Sequence, residues 1–367
     1  MNRRIRTTVA LVGLTMGLAV TAAGTATADP TGTPGQPPAG KTADQIYAAI
    51  GADAFAELTN EVAAAYNAQS PAPAHVLASY DAVNPVTGAA GENITTKPGC
   101  SLARPNGANA GISAIKNNQH VDGGGAGSPF CIDFVRSSRS KKTDGTESAL
   151  TFYAQSRDAV SYATIGNAYA PTGPLTTAQL KSIFTCDVQD WSEVGGQPGP
   201  IHLYLPPVSA ATYTFFLQAI GTDVATVTTS CSGLPTVFEQ QQNDGRTLDG
   251  DPLGIAPYAV TKWAAQSNEA PGIADNRGGA VIGLVNTTTA PTTTRNLGGV
   301  DYQVLNPAFT TGDSASFGRI FYNVVRNDAP QDLKDVFKSG GFLCSRADEF
   351  LVPFGNTPLG AGCGQAN

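Results

Sequence analysis

Strand-like and helix-like segments alternate along this chain, and that alternation restricts it to α/β architectures in which helices cover the faces of a sheet. Phe55, Leu58, Val62 and Tyr66 recur at helical spacing and predict a helix over 54–67. Strands are expected at Val76–Val83, Ile132–Val135, Leu150–Ala154, Val160–Ala163, Ile201–Leu205 and Ile320–Val325. Thr176-Thr177-Ala178-Gln179 has the form of a capping box, and Leu180, Ile183 and Phe184 give its helix an apolar stripe. A loop after Leu205 leads into a helix through Phe215, Phe216 and Ile220 that stops at Gly221. Asp328 is expected to cap a last helix carrying Leu333, Val336 and Phe337, ended by Gly340-Gly341. The threonines at Thr287–Thr289 and Thr292–Thr294 read as an exposed loop.

The amino terminus reads as an export leader. Arg3, Arg4 and Arg6 precede an apolar stretch from Val9 to Ala23, and Ala26-Thr27-Ala28 supplies small residues before Asp29. Cleavage is expected after Ala28, so residues 1–28 form a signal peptide and the Pro/Gly-rich residues 29–42 a flexible linker. No cysteine precedes Cys100, so a lipid-attachment cysteine is absent, and no later segment is apolar enough for a bilayer span. The mature product is therefore expected to be secreted and free. Export into an oxidising compartment makes the six cysteines candidates for three disulfides. Sequence proximity favours Cys100–Cys131, Cys186–Cys231 and Cys344–Cys363 among the connectivities six cysteines allow. Loss of the leader's three arginines leaves 22 − 3 = 19 basic residues against 29 acidic ones, a net charge of −10, which argues against a nucleic-acid partner. The 367 − 28 = 339 residues that remain exceed one comfortable core, so two lobes are expected.

Several short motifs carry little chemistry. Gly35–Thr42 matches GxxxxGK[ST], but no buried strand precedes it and two of its variable positions are prolines without an N–H. His75, His120 and His202 are scattered and no CxxC occurs, so neither a metal site nor any other cofactor is expected. Asp244, Asp249 and Asp251 lie in a Gly-rich loop but lack the glutamate a calcium loop requires. Ser138-Arg139-Ser140-Lys141 and Ser113-Ala114-Ile115-Lys116 match SxxK without the accompanying SDN element, so a serine hydrolase is the weakest reading and no enzyme is expected. Two helix starts offer more, because free N–H groups and the helix dipole favour anions there. One is Gly51-Ala52-Asp53-Ala54 and the other Ser209-Ala210-Ala211-Thr212. Asp53 and Ser209 could equally be ordinary N-caps. The tip Arg136-Ser137-Ser138-Arg139-Ser140 gathers two arginines and three hydroxyls, which suits an oxyanion or carboxylate.

Leu175-Thr176-Thr177-Ala178-Gln179-Leu180-Lys181-Ser182-Ile183-Phe184, followed by Asp190-Trp191-Ser192-Glu193-Val194-Gly195-Gly196, resembles the LTxxQLxxIF…WxxVGG signature of phosphate-binding-like proteins, the solute receptors of ABC uptake systems. Gly254-Ile255-Ala256-Pro257-Tyr258 is similar to the family's later GxIGYxxY segment. Cys131-Ile132-Asp133-Phe134, Lys97-Pro98-Gly99-Cys100 and Arg104-Pro105-Asn106-Gly107 resemble its actinobacterial secreted branch. The resemblance covers about residues 45–345 and implies a two-lobe α/β fold of the type II periplasmic-binding class. Lobe 1 would comprise 43–158 plus 314–367 and lobe 2 159–313, with hinge strands near Gln155–Ala159 and Asp313–Arg319. A non-enzymatic monomer would close on a small polar or anionic ligand, phosphate being the family's own, and deliver it to an ABC permease.

The chain also departs from the family. Ala54 stands where Thr is usual, and Asn106-Gly107-Ala108-Asn109 replaces a Ser-rich turn. The proton-accepting carboxylate falls near Ser138, the clamping Arg on Pro206, and GSGT has become Ser209-Ala210-Ala211-Thr212. Tight phosphate binding would then require Arg136 or Arg139 as a replacement. The resulting candidates are Asp53, Asn106, Asn109, Ser137, Ser138, Arg139, Ser209 and Thr212. A surface or matrix protein that kept the fold and lost the ligand is the alternative, favoured by the missing lipid anchor.

Overall fold

The computed structural model describes residues 29, 30, 33–125, 127–166, 169–208 and 210–367. The expected leader and Ser209 lie outside the described residues. The strands are β1 (Ile46–Gly51), β2 (Val76–Ser79), β3 (Asn93–Lys97), β4 (Cys100–Ala103), β5 (Phe134–Ser137), β6 (Leu150–Ile165) and β7 (His202–Leu205). They continue with β8 (Val237–Glu239), β9 (Gly254–Ala259), β10 (Ala280–Ile282), β11 (Thr292–Leu297), β12 (Val300–Leu305), β13 (Gly318–Arg326) and β14 (Thr357–Pro358). The α-helices are α1 (Ala56–Asn67), α2 (Ala108–Lys116), α3 (Thr177–Phe184), α4 (Ala211–Ala219), α5 (Val224–Ser230), α6 (Val260–Ser267), α7 (Gln331–Phe337), α8 (Phe342–Ser345) and α9 (Ala347–Leu351). The fold is α/β, with a mixed sheet ordered β2-β1-β5-β13-β6-β9-β7-β8 and with β10 and β14 also paired to β6.

β6 organises the molecule. The sequence suggests two short strands separated by Gln155-Ser156-Arg157-Asp158-Ala159, yet the chain stays extended through all 16 residues. The polar stretch does not break the strand because its side chains find buried partners. Asn323 Nδ2 donates to Gln155 Oε1 at 2.6 Å, Ser156 Oγ donates to Asn356 Oδ1 at 2.8 Å, and Arg319 Nε donates to Asp158 Oδ2 at 2.7 Å. The first half of β6 pairs with β13 and the second half with β9. Apolar cores gather on either side of that crossing. Tyr47, Phe55, Phe134, Phe321 and Leu333 belong to one, and Ile46, Tyr80, Val135, Phe152 and Val324 to a second on the same half of the sheet. Leu180, Trp191, Phe216, Phe309 and Phe317 form the core of the other half. Two lobes joined by β6 and β13 result.

Local chemistry accounts for the helix boundaries. Thr176 Oγ1 accepts from Gln179 N at 3.1 Å and Gln179 Oε1 accepts from Thr176 N at 2.9 Å, the reciprocal pair of a capping box. At α7 the cap position is Pro330, whose fixed φ presets helical entry, whereas Asp328 pairs with Arg326 at 3.4 Å and caps nothing. The threonine tract is a loop only as far as Pro291, because Thr292–Thr294 open β11, which pairs along its length with β12. Disulfides join Cys100 to Cys131, Cys186 to Cys231 and Cys344 to Cys363.

The Pro/Gly-rich segment is not a free tether. Asp29 is completely buried and its carboxylate takes Arg104 Nη2 at 2.9 Å, Asp81 N at 2.8 Å and Gly35 N at 2.7 Å. Thr95 N donates to Gly35 O at 2.6 Å, so the segment is also stitched to β3. A carboxylate with three donors in a dry environment is held firmly, which overrides the flexibility that the composition suggests.

Candidate functional site

The site lies where the lobes face each other, and its parts come from strand ends and helix starts. β1 ends at Gly51, whose φ of +121° carries the chain into a 3-10 turn over Asp53–Phe55 and then α1. Any side chain at Gly51 would strike Arg136 O, 2.4 Å from where a Cβ would stand. Asp53 is half-buried and does not cap a helix. Its Oδ2 instead accepts from Gln242 Nε2 of the other lobe at 3.3 Å. Beside it, Lys262 Nζ of α6 reaches Glu57 Oε1 of α1 at 2.6 Å, a second bond between the lobes.

These residues line a cavity of about 460 Å³ together with Asp81, Asn243 and Asp244. Burial raises the Asp53 carboxyl, with Lys262 opposing the shift and Glu57 adding to it. Burial also pushes Asp81 up to about 7, assisted by the neighbouring charge of Glu57. Burial alone would lower Lys262, but Glu57 and Asp53 outweigh it and hold the ammonium above its ordinary range. This side of the cleft is acidic.

A second cavity, of about 710 Å³, is lined by the tip Ser138–Asp144 of one lobe, by Phe215 and Gln218 of α4, and by Gly318–Ile320 of β13. Ser138 is buried, 2% exposed, and its Oγ has no hydrogen-bond partner among the described residues. Arg319 is 6% exposed; its Nε and Nη2 hold Asp158 at 2.7 Å, Nη2 also donates to Thr212 Oγ1 at 3.4 Å, and Nη1 has no partner among the described residues. The guanidinium lies between the Phe215 and Phe321 rings, 5.3 Å from each centroid. Asp158 is fixed from its other oxygen by Thr261 Oγ1 at 2.6 Å, at the start of α6. Arg139, Lys141 and Lys142 add positive charge to this lining against the single carboxylate of Asp144. A buried N–H and a buried hydroxyl beside the two lysines Lys141 and Lys142 can receive an oxyanion or carboxylate.

The sequence candidates fall into distinct groups. Ser138 and Arg139 line the cationic cavity, and Thr212 is reached through Arg319. Asp53 lines the acidic cavity. Asn106 is half-buried and bridges Gly51. Asn109 and Arg139 bond each other at 2.7 Å, and Arg139 also grips Glu147 at 2.5 Å, which outweighs burial and keeps that carboxyl below its usual range. Ser137 Oγ folds back onto Arg139 O at 2.8 Å. Arg136, a possible substitute for the missing clamp, is fully buried and directs its guanidinium to Ala52 O, Ser79 Oγ and Tyr80 O at 3.0, 2.7 and 2.5 Å. Both arginines nominated by the sequence are thus committed elsewhere.

The residue overlooked is Arg319. One sign of it was present: a lone cation amid Phe317, Ile320, Phe321 and Tyr322, where burial demands a partner. Lys262, Asp81 and Asn243 carried no comparable signal. Lys141 Nζ donates to Leu150 O at 2.7 Å, which leaves the SxxK serine without an observed base. Among the described residues no group of three or more His, Cys, Asp or Glu could hold a metal ion, and no helix is long and apolar enough to cross a membrane.

Comparison with solved structures identifies the architecture. An ABC-type phosphate transport receptor from Vibrio cholerae superposes with a TM-score of 0.53 at 14% identity, covering 84% of this chain and 98% of that one. A candidate phosphate ABC transporter substrate-binding protein from Clostridium perfringens, solved with bound phosphate, gives 0.54 at 14% identity over 86% and 99% of the two chains. PstS from Borrelia burgdorferi gives 0.50 at 14% identity over 86% and 98%. No protein-family model matches the chain, and comparison with curated proteins returned no match. The fold is therefore that of the two-lobe, phosphate-binding-protein-like receptors.

Proposed function

We propose that the protein is an exported, non-enzymatic solute-binding protein whose lobes, 43–158 plus 314–367 and 159–313, close on a small polar or anionic ligand. The observation that carries this reading is the cationic cavity, whose lining includes Ser138 and Arg319, each with a buried polar atom that has no partner among the described residues. An oxyanion would satisfy both, and Thr212 stands next to Arg319 at the start of α4, where free N–H groups add to the attraction. The clamping arginine comes from the strand that joins the lobes, so grip and closure use the same residue. Phosphate, the ligand named for the solved relatives, is the first candidate, and a permease is the partner that such a receptor would serve.

A second reading has its own support. Arg136 and Arg139 are engaged internally and Pro206 occupies the family's clamp position, which favours a surface or matrix protein that keeps the fold without a ligand. Titration calorimetry of the wild-type protein against phosphate, sulfate and small organic anions separates the two. Micromolar affinity for one anion, lost in Thr212→Val and reduced in Ser138→Ala, is expected for the receptor. A silent panel from a folded protein would leave the scaffold reading standing.

A further inference from the structure

The acidic cavity has no part in that reading. We infer that the cavity between α1 and α6 is a second ligand site, for a small solute carrying a protonated amine together with a hydroxyl or carboxyl acceptor. The charge balance comes first. Two of its four carboxylates are matched, Glu57 by Lys262 at 2.6 Å and Asp244 by Arg246 at 2.5 Å. Asp53 and Asp81 have no salt-bridge partner among the described residues. Arg136 stands behind them, but its guanidinium donates to Ala52 O, Ser79 Oγ and Tyr80 O and to neither carboxylate. With both ionised, Asp53 and Asp81 set two negative charges against the one positive charge of Arg136, and a bound monocation would favour that ionised state.

The second observation is independent of charge. Asn243 lines the same cavity, is 3% exposed, and has an Nδ2 without a partner among the described residues, while its Oδ1 is fixed by Ala259 N at 3.0 Å. Its backbone is held in the left-handed region at φ +57°, and its carbonyl takes Tyr258 Oη at 2.7 Å and Gln266 Nε2 at 3.0 Å. The residue cannot easily turn to find another partner, so the free N–H calls for an acceptor on a ligand. Glu57, in the same lining, has a buried Oε2 without a partner among the described residues, an acceptor that calls for a donor. An ammonium answers the carboxylates and an adjoining oxygen answers Asn243. The volume of about 460 Å³ admits a molecule from amino-alcohol to amino-sugar size.

Titration calorimetry in an amine-free buffer with ethanolamine and glucosamine, and with glucose as the uncharged counterpart, tests the assignment. At least one amine should bind and glucose should not. Asp81→Asn should weaken that amine by at least ten-fold, and if this variant does not fold, Asp53→Asn serves for the same measurement. Silence of both amines with folded wild-type protein, equal binding of glucose and glucosamine, or unchanged affinity in a folded carboxylate variant would each overturn it.

Discussion

Two cavities open between the same two lobes with opposite charge, and the comparison shows that lining composition is a poor guide to binding capacity. On the cationic side Arg139 is neutralised by Glu147 and Arg319 largely by Asp158. Once those pairs are set aside, one guanidinium N–H, one hydroxyl and the lysines of the tip are left. On the acidic side Lys262 and Arg246 disappear into pairs, and two carboxylates and an amide N–H are left. What remains after internal pairing is what a ligand meets. The cationic pair also bears on the architecture, because Asp158 and Arg319 sit side by side where β6 and β13 pass between the lobes.

That difference predicts unequal costs. Asp158→Ala leaves Arg319 charged and unpaired in a site where the two side chains are only 0% and 3% exposed, and should destabilise by about 3–5 kcal/mol. Glu57→Gln breaks the corresponding pair on the acidic side, where the partners are 20% and 9% exposed, and should cost only about 1–3 kcal/mol. Urea unfolding of both variants measures the contrast. Equal losses would show that the crossing pair is no more structural than the cleft pair.

The pH dependence sharpens the comparison from the acidic side. Burial foremost, with Glu57 and Asp29 adding like charge, raises Asp81 to about 7, while Asn60 and Arg136 act against the shift. The folded state thus holds a proton that the unfolded chain releases near pH 4. Stability contributed by this proton is fully present below the unfolded value and is lost as pH rises from about 4 to about 7. Asp81→Asn should flatten that fall and leave the variant more stable than wild type at pH 8, as read from urea midpoints at several pH values. A wild-type midpoint that climbs across that range, with no change of slope in the variant, would contradict it.

Much of the fold was legible in the sequence because it depends on local pattern. Leu58 and Val62 sit on the buried face of α1 with Phe55 just before it, and Thr176 with Gln179 forms the capping box of α3. The cysteines pair by proximity because each pair closes a loop within one lobe. The failures share one cause, which is that a partner distant in sequence decides the outcome. Gln155–Asp158 looks like a break until Asn323, Asn356 and Arg319 arrive from residues far along the chain. Asp29 looks like linker until Arg104 is placed against it. Arg136 and Arg139 look free until Tyr80 and Glu147 are found to hold them. Site residues are the hardest to read, since unpaired capacity is a property of the whole assembly.

The smallest predicted effect concerns Ser138 and separates function from stability at one atom. A buried hydroxyl without a partner gives up its hydrogen bonds to water and gains none in return. Ser138→Ala removes that penalty and adds no cavity larger than an oxygen atom, so the ligand-free protein should gain about 1 kcal/mol. The same change removes one of the two unpartnered groups on the cationic side and should weaken anion binding several-fold. Higher thermal stability together with weaker binding is the signature of a group kept for a ligand. A variant that is less stable than wild type would show that the hydroxyl is already satisfied within the protein, and the cationic cavity would then rest on Arg319 alone.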